Sequence, residues 1–246
     1  MIAYARTMAR AAAVPIASGV WRIPLLGDFV NGFILRDADG QVTLVDMGVK
    51  QSGPKVLAAL ASIGSGPSDV TQLLLTHAHP DHAGGAAHVA QQTGRDFAIH
   101  EDDAAYAEAG QSPPRDQSFW LARLMTRFMG SNAFPAVTVG ERLVDGQVLD
   151  IAGGLEVVHT PGHSPGHAAY LHRGSGVLIT GDSIFNVRGL RWPIKSFCTS
   201  FALTTKTAHR LAELDYTTAA FTHGPHLADQ PREHIRRFLS THPTVD

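Results

Sequence analysis

Thr76-His77-Ala78-His79-Pro80-Asp81-His82 is the stretch that decides the reading of this chain. Three His and one Asp fall within six residues, directly after the apolar run Leu73-Leu74-Leu75. Imidazole and carboxylate together are the ligand set of zinc and related divalent metals. A strand ending in a tight loop aims His77 and His79 at one metal, because side chains two apart share a face. Asp81 and His82 lie past the turn, within reach of a second metal. The plain alternative is a polar loop that is His-rich by chance, but donor spacing this dense is far more specific than a lone His.

The rest of the chain completes the set. One apolar segment runs into Val157-Val158-His159-Thr160-Pro161-Gly162-His163-Ser164-Pro165-Gly166-His167. Val177-Leu178-Ile179-Thr180-Gly181-Asp182 ends in a carboxylate, and Ala219-Ala220-Phe221-Thr222-His223 ends in an imidazole. Apolar runs that each end at a donor bring scattered donors together at one edge of a sheet system.

In this order the motifs resemble the metallo-β-lactamase superfamily, over nearly the whole chain from about Gly19 to about Phe238. The resemblance implies an α/β (α+β) fold, the four-layer αββα sandwich. It implies one metal on His77, His79 and His163, and a second on Asp81, His82 and His223, with Asp182 bridging. Asp46, in Val45-Asp46-Met47-Gly48, matches the family's earlier strand-end Asp, which orients a ligand instead of binding metal. By itself Asp46 reads equally well as a turn residue before Gly48. Two Zn2+ ions are the expected cofactors, and Fe or Mn stays open because this donor set does not select sharply.

Two metals hold a hydroxide that is a nucleophile at neutral pH and polarise the substrate carbonyl or phosphoryl oxygen. Asp182 then holds the pair together and Asp81 relays a proton to the leaving group; these two are the expected catalytic residues. No G-x-S-x-G nucleophile motif is present.

Departures between branches narrow the chemistry. β-Lactamases of this fold lack a bridging Asp, so Asp182 speaks against β-lactam hydrolysis as the native task. Thr160-Pro161-Gly162-His163-Ser164-Pro165-Gly166-His167 resembles the glyoxalase II and lactonase branches. Glyoxalase II adds a helical thiol-binding domain, for which Gly224 to Asp246 are too few residues. Acyl-homoserine lactonases often place a Tyr three residues after the bridging Asp, where this chain has Phe185. The large cap of nuclease relatives and the flavin domain of flavodiiron relatives find no place either. The expectation is a binuclear hydrolase of an ester-like bond (a thioester, lactone or related acyl bond) in a small molecule. The alternative is a mononuclear iron, persulfide dioxygenase-like oxidoreductase. Val187-Arg188-Gly189-Leu190-Arg191 keeps the Arg, Gly and Arg of that family's run but lacks its Cys. A non-catalytic metal-binding protein is a third reading, and the intact donor set speaks against it.

Composition agrees with a soluble enzyme. The 246 residues suit one α/β domain with a large core, and 44% hydrophobic with 17% charged residues reads as globular. A net charge of −2, from 20 Lys+Arg against 22 Asp+Glu, gives no electrostatic case for nucleic acid or an anionic membrane. The single Cys198 excludes an intrachain disulfide and reads as a small buried hydrophobe. Residues 1–18 read as an arm, a short extra helix or loose segment, before one domain over 19–246. Arg10 interrupts the apolar core a secretory signal needs, and no apolar run approaches a membrane span. The expectation is a cytoplasmic enzyme, with a homodimer common enough to expect.

Strands are expected at Val20-Trp21-Arg22-Ile23, Gly32-Phe33-Ile34-Leu35, Val42-Thr43-Leu44-Val45 and Phe97-Ala98-Ile99-His100. Helices are expected over Pro54–Ile63, Gly84–Thr93, Glu101–Ala109, about Thr199–Leu214, and about Gln230–Leu239 with Asp229 as cap. Residues 110–135 read as a helical insertion flanking the active site. Its Gln117–Met129 part is apolar at helical spacing, as either a core-packing helix or a Met-rich lid. Phe185, Arg188, Arg191 and Trp192 are the candidate substrate contacts. The arginines, with Lys195, form either an anion clamp or a solvated loop. His167 and His226 read as structural neighbours of the motif, not ligands, and His159 as facing away.

Overall fold

A computed structural model describes residues 12–116, 133–242 and 244. The first half of the chain builds a seven-stranded sheet in sequence order. Its strands are β1 (Val14–Ala17), β2 (Val20–Pro24), β3 (Asn31–Arg36), β4 (Val42–Val45), β5 (Val70–Leu74), β6 (Phe97–His100) and β7 (Val139–Leu143). β1 to β4 pair antiparallel through short turns, and β4 to β7 run parallel. Parallel pairing needs crossovers, and helices supply them. α1 (Gly53–Ser62) joins β4 to β5, and α2 (Pro80–Ala83) with α3 (Ala86–Thr93) join β5 to β6. α4 (Glu101–Ala109) follows β6.

The second sheet contains β8 (Val148–Leu149), β9 (Leu155–His159), β10 (Ala168–His172), β11 (Val177–Ile179) and β14 (Thr218–Ala220), in the order β14-β11-β10-β9-β8. β12 (Phe185–Asn186) and β13 (Leu190–Arg191) form a small ribbon. α5 (Phe201–Thr207) and α6 (Pro231–Thr241) follow.

Alternation along the strands explains the layers. Phe33 and Leu35 of β3 point to a central core shared with Leu155, Val157, Tyr170 and Ile179 of the second sheet. Ile34, between them, packs instead with Val56, Leu60 and Val89 of α1 and α3. In β10 Tyr170 faces the central core, and Ala169 and Leu171 face Leu211, Ile235 and Phe238 on the other side. Both sheets are covered on both faces, which gives the αββα sandwich of the metallo-β-lactamase fold.

Several local expectations change. Val14–Ala17, assigned to the 1–18 arm, form the edge strand β1 paired with β2; Pro15 is acceptable there because an edge strand has donors to spare. The helix expected over Gly84–Thr93 runs Ala86–Thr93, and a separate short helix, Pro80–Ala83, precedes it, so Asp81 and His82 sit on a helical turn. The Thr199–Leu214 helix is α5 followed by a 3-10 turn, Ala208–Ala212. Ser200 caps α5, its Oγ accepting from Leu203 N at 3.2 Å. Asp229 does not cap α6; Gln230, at φ 45°, stands before Pro231. In the 110–135 insertion Gln111 and Ala133 bridge, and the Gln117–Met129 helix lies outside the described residues.

Candidate metal centre

Asp81 and His82 sit on the helical turn of α2, and the other donors, with Asp46, follow the ends of strands. Asp46 follows β4, His77 and His79 follow β5, His163 follows β9, Asp182 follows β11 and His223 follows β14. The β4, β5, β11 and β14 ends meet at one edge because these strands run parallel within their sheets. Contacts across the sandwich hold the two edges together. Tyr170 Oη donates to Leu75 O at 2.7 Å, and Ala168 N donates to Thr76 O at 3.0 Å.

The donor atoms converge. Nε2 of His77 lies 3.0 Å from Nδ1 of His79, which lies 2.9 Å from Nε2 of His163. Asp81, His82 and His223 form a second group, with Asp81 Oδ2 3.7 Å from His82 Nε2 and 3.4 Å from His223 Nε2. Asp182 stands between the groups. Its Oδ1 is 3.3 Å from His82 Nε2, and its Oδ2 is 3.2 Å from His163 Nε2 and 3.3 Å from His223 Nε2.

Partners on the far side of each ring set its orientation. Asp46 Oδ1 accepts from Thr76 N, and its Oδ2 accepts from Thr76 Oγ and from His82 Nδ1, each at 2.8 Å. Thr76 Oγ in turn accepts from His77 Nδ1 at 3.0 Å. His223 Nδ1 donates to Phe29 O at 2.6 Å, and His163 Nδ1 faces Cys198 Sγ at 3.5 Å. Each of these rings turns its other nitrogen inward. Asp46 has φ 56°, a left-handed conformation that is costly for a side chain other than Gly. The surrounding hydrogen bonds hold it there.

The arrangement fits a divalent cation. Nε2 of His82 and Nε2 of His223 are buried and have no hydrogen-bond partner among the described residues. An unsatisfied buried polar atom costs about 1–3 kcal/mol, and a cation removes that cost at both. The electrostatics also call for positive charge. Burial works against charge on His163, yet Asp182 outweighs it and lifts its pKa to about 10. His82 is likewise raised against burial by Asp182, Asp81 and Asp46. Burial, aided by neighbouring imidazoles, holds His77 and His79 well below their ordinary value, so both present neutral nitrogens.

Residues outside the predicted donor set complete the scaffold. His167 Nε2 accepts from Asp182 N at 2.6 Å, and its Nδ1 lies 3.1 Å from Thr160 O. Burial and the nearby His163 hold its pKa down at about 3, so the ring stays neutral. Gly181, at φ 54°, lets the chain pass against that ring, where a Cβ would collide with His167 Nε2. The buried Asp103 accepts from Ala78 N at 2.9 Å, Ser164 Oγ at 2.6 Å and Gly166 N at 2.7 Å, joining the first His loop to the His163 loop. Asn31 Nδ2 donates to Phe221 O at 2.9 Å and Gly224 O at 2.7 Å, fixing the His223 loop from the other sheet. Of these, His167 stood out in the sequence as a neighbour of the motif; Asn31 and Asp103 carried no signal.

A cavity of about 360 Å³ opens on the donors and is lined also by Phe29, Phe185, Ile194, Phe197 and Arg115. Phe185 belongs to it, its ring 4.2 Å from that of His223. Arg188, Arg191 and Trp192 do not line it. Arg191 is exposed on β13, and Trp192 packs 4.9 Å from Phe238 against the outer core. The ribbon's turn, with Arg188 at φ 57°, carries these side chains away from the cavity.

The metallo-β-lactamase superfamily model matches residues 25–223. The chain belongs to that superfamily. It is similar to a hydroxyacylglutathione hydrolase of Cereibacter sphaeroides, with 34% identity over 66% of this chain and 50% of the relative. It therefore spans about half the length of that enzyme. A probable metallo-hydrolase of Bacillus subtilis, YybB, is 26% identical over 79% of this chain and 80% of its own length. Among solved structures, a metallo-β-lactamase family protein from Thermus thermophilus superposes with a TM-score of 0.67 at 27% identity, covering 92% of this chain and 79% of the other. As a member of this superfamily the protein is a metal-dependent hydrolase. No helix among the described residues is long and apolar enough to cross a membrane.

Proposed function

We propose that the protein is a binuclear hydrolase that cleaves an ester-like acyl bond of a small molecule, with a thioester as the leading class. The observation that carries this reading is the position of Asp182, whose Oδ2 faces His163 of one donor group and His223 of the other, while its Oδ1 faces His82 of the second group. His77, His79 and His163 would hold one metal, and Asp81, His82 and His223 the other, with Asp182 shared. Zinc suits these donors, and iron or manganese is compatible with them. Bound there, such ions supply an activated water at neutral pH and polarise the acyl carbonyl.

The chain's own residues do the rest. Asp46, through Thr76 and His82, fixes two imidazoles. His167 and Thr222, whose Oγ donates to Asp182 Oδ1 at 2.8 Å, fix the shared carboxylate. Asp81 has a side chain 38% exposed toward the cavity, so it can pass the water's proton to the departing thiolate or alkoxide. The oxygen of water bonds to the acyl carbon as the C–S or C–O bond breaks. Phe29, Phe185 and Phe197 hold the acyl portion and thin the water around it. The name of the C. sphaeroides relative supports a thioester, and the difference in length leaves the thiol portion of the substrate free to differ.

Metal analysis of protein purified without added metal, followed by a panel of thioesters, lactones and phosphoesters, tests this. About two zinc per chain with thioester or lactone turnover is the expected result. One iron per chain with oxygen uptake on a persulfide would replace the reading with an oxidoreductase.

A further inference from the structure

Arg115 is the only Lys or Arg among the described residues that line the cavity. It is nearly buried, 7% exposed, and its guanidinium carbon sits 4.8 Å from the centroid of the Phe197 ring. Its segment is fastened to the other wall loop: Asp116 N donates to Cys198 O, and Thr199 Oγ donates to Pro114 O, both at 2.9 Å. The cation is therefore pre-positioned, and little freedom is lost when it meets an anion. Away from Ser112 and the donor residues, the described part of the wall is apolar, from Phe29, Val49, Pro80, Phe185 and Ile194. A volume of about 360 Å³ lies at the small end of the range for ligand sites.

We propose that Arg115 is a specificity-determining residue that selects acyl substrates bearing a carboxylate, joined to the scissile bond by a short apolar segment. The inference rests on the acyl-hydrolase reading above. A planar guanidinium matches a carboxylate with two parallel hydrogen bonds. Arg115 thus takes the anion-binding role that the exposed Arg191 is not placed to fill.

The test uses the zinc-loaded protein and two matched thioesters: the phenylacetyl thioester of 3-mercaptopropanoate and that of 3-mercaptopropanamide. The wild type is expected to favour the carboxylate in kcat/KM by roughly tenfold to a hundredfold, mostly through KM, the worth of a charge-assisted pair. Arg115→Met should lower the carboxylate-to-amide ratio at least tenfold. Arg115→Lys should give an intermediate ratio and shows that the site still folds, and Arg191→Met should keep the wild-type ratio. A wild-type ratio near one, or a ratio that survives Arg115→Met, overturns the proposal. If neither thioester turns over, the acyl-hydrolase reading has failed by itself. Calorimetric binding of 3-phenylpropanoate against 3-phenylpropanamide to wild type and Arg115→Met then decides the Arg115 proposal by the same ratio.

Discussion

The backbone N–H of Asp182 donates to Nε2 of His167 at 2.6 Å, so the carboxylate that faces both donor groups is held by a histidine that faces neither metal position. His167→Ala leaves that buried N–H without an acceptor. Metal affinity is expected to fall about 10–100-fold, the usual effect of losing an outer partner. His167→Gln, whose amide oxygen can accept the same bond, should recover part of it. Chelator competition with the two variants measures this; equal affinities in wild type and His167→Ala would refute it.

Asp46 joins Thr76 and His82 through three hydrogen bonds of 2.8 Å. Asp46→Ala frees two imidazoles to rotate and is expected to reduce metal content per chain after dialysis, with hydrolysis falling in proportion. Elemental analysis checks it. Full occupancy with lost activity would instead assign Asp46 a role beyond holding the rings.

Asn31 is buried and bonds two carbonyls of the last donor loop, while its Oδ1 accepts from Arg22 Nη1 at 2.9 Å. Asn31→Ala should cost about 1–3 kcal/mol in urea unfolding. It should also weaken metal binding, because the His223 loop loses its anchor to the first sheet. A stability loss with unaltered metal affinity would separate the two roles.

His172 lies at the far end of β10 and is shifted below its ordinary pKa of 6.5, by burial above all. Neutral His172 donates from Nε2 to Ala152 O at 2.8 Å and accepts at Nδ1 from Ser175 Oγ at 2.6 Å. The unfolded chain binds this proton more readily than the folded one. The stabilisation is thus fully present above pH 6.5 and lost as pH falls below it toward the lowered native value. The stability difference between wild type and His172→Gln should be largest near pH 7.5 and shrink by pH 5.5. A difference that grows on acidification would contradict this.

Much of this was legible in the sequence because strand ends are legible. Each donor follows an apolar run, and strands packed on both faces are continuous apolar runs, so the pattern that marks the core also marks the site. The residues that hold the rings were harder to see. Asn31 and Asp103 are single polar residues whose partners lie far along the chain; Asn31 meets Gly224 only after the sheets pack. His167 read as a structural neighbour of the motif, but its partner was hidden because the N–H it accepts belongs to a backbone 15 residues away. Cys198 was read correctly as buried, but its place behind His163 follows from how the loop before α5 folds back. Between the clamp and the solvated loop the sequence could not choose for Arg188 and Arg191, because proximity in sequence to Asp182 is not proximity in space, and neither lines the cavity.

The anchoring of the donors to strand ends, and of Arg115, Ile194 and Phe197 to two separate loops, has an evolutionary consequence. Residues 112–116 and 194–199 are tied to each other by Asp116 N to Cys198 O and Thr199 Oγ to Pro114 O, and to the donors by Thr199 N to His163 O at 3.0 Å. Selection can therefore rewrite what the cleft admits without disturbing what cleaves it. A library randomised at positions 112, 115, 194 and 197 is expected to yield altered preferences at constant metal content. Specificity in this chain would then be able to drift loop by loop while its donor set stays as it is.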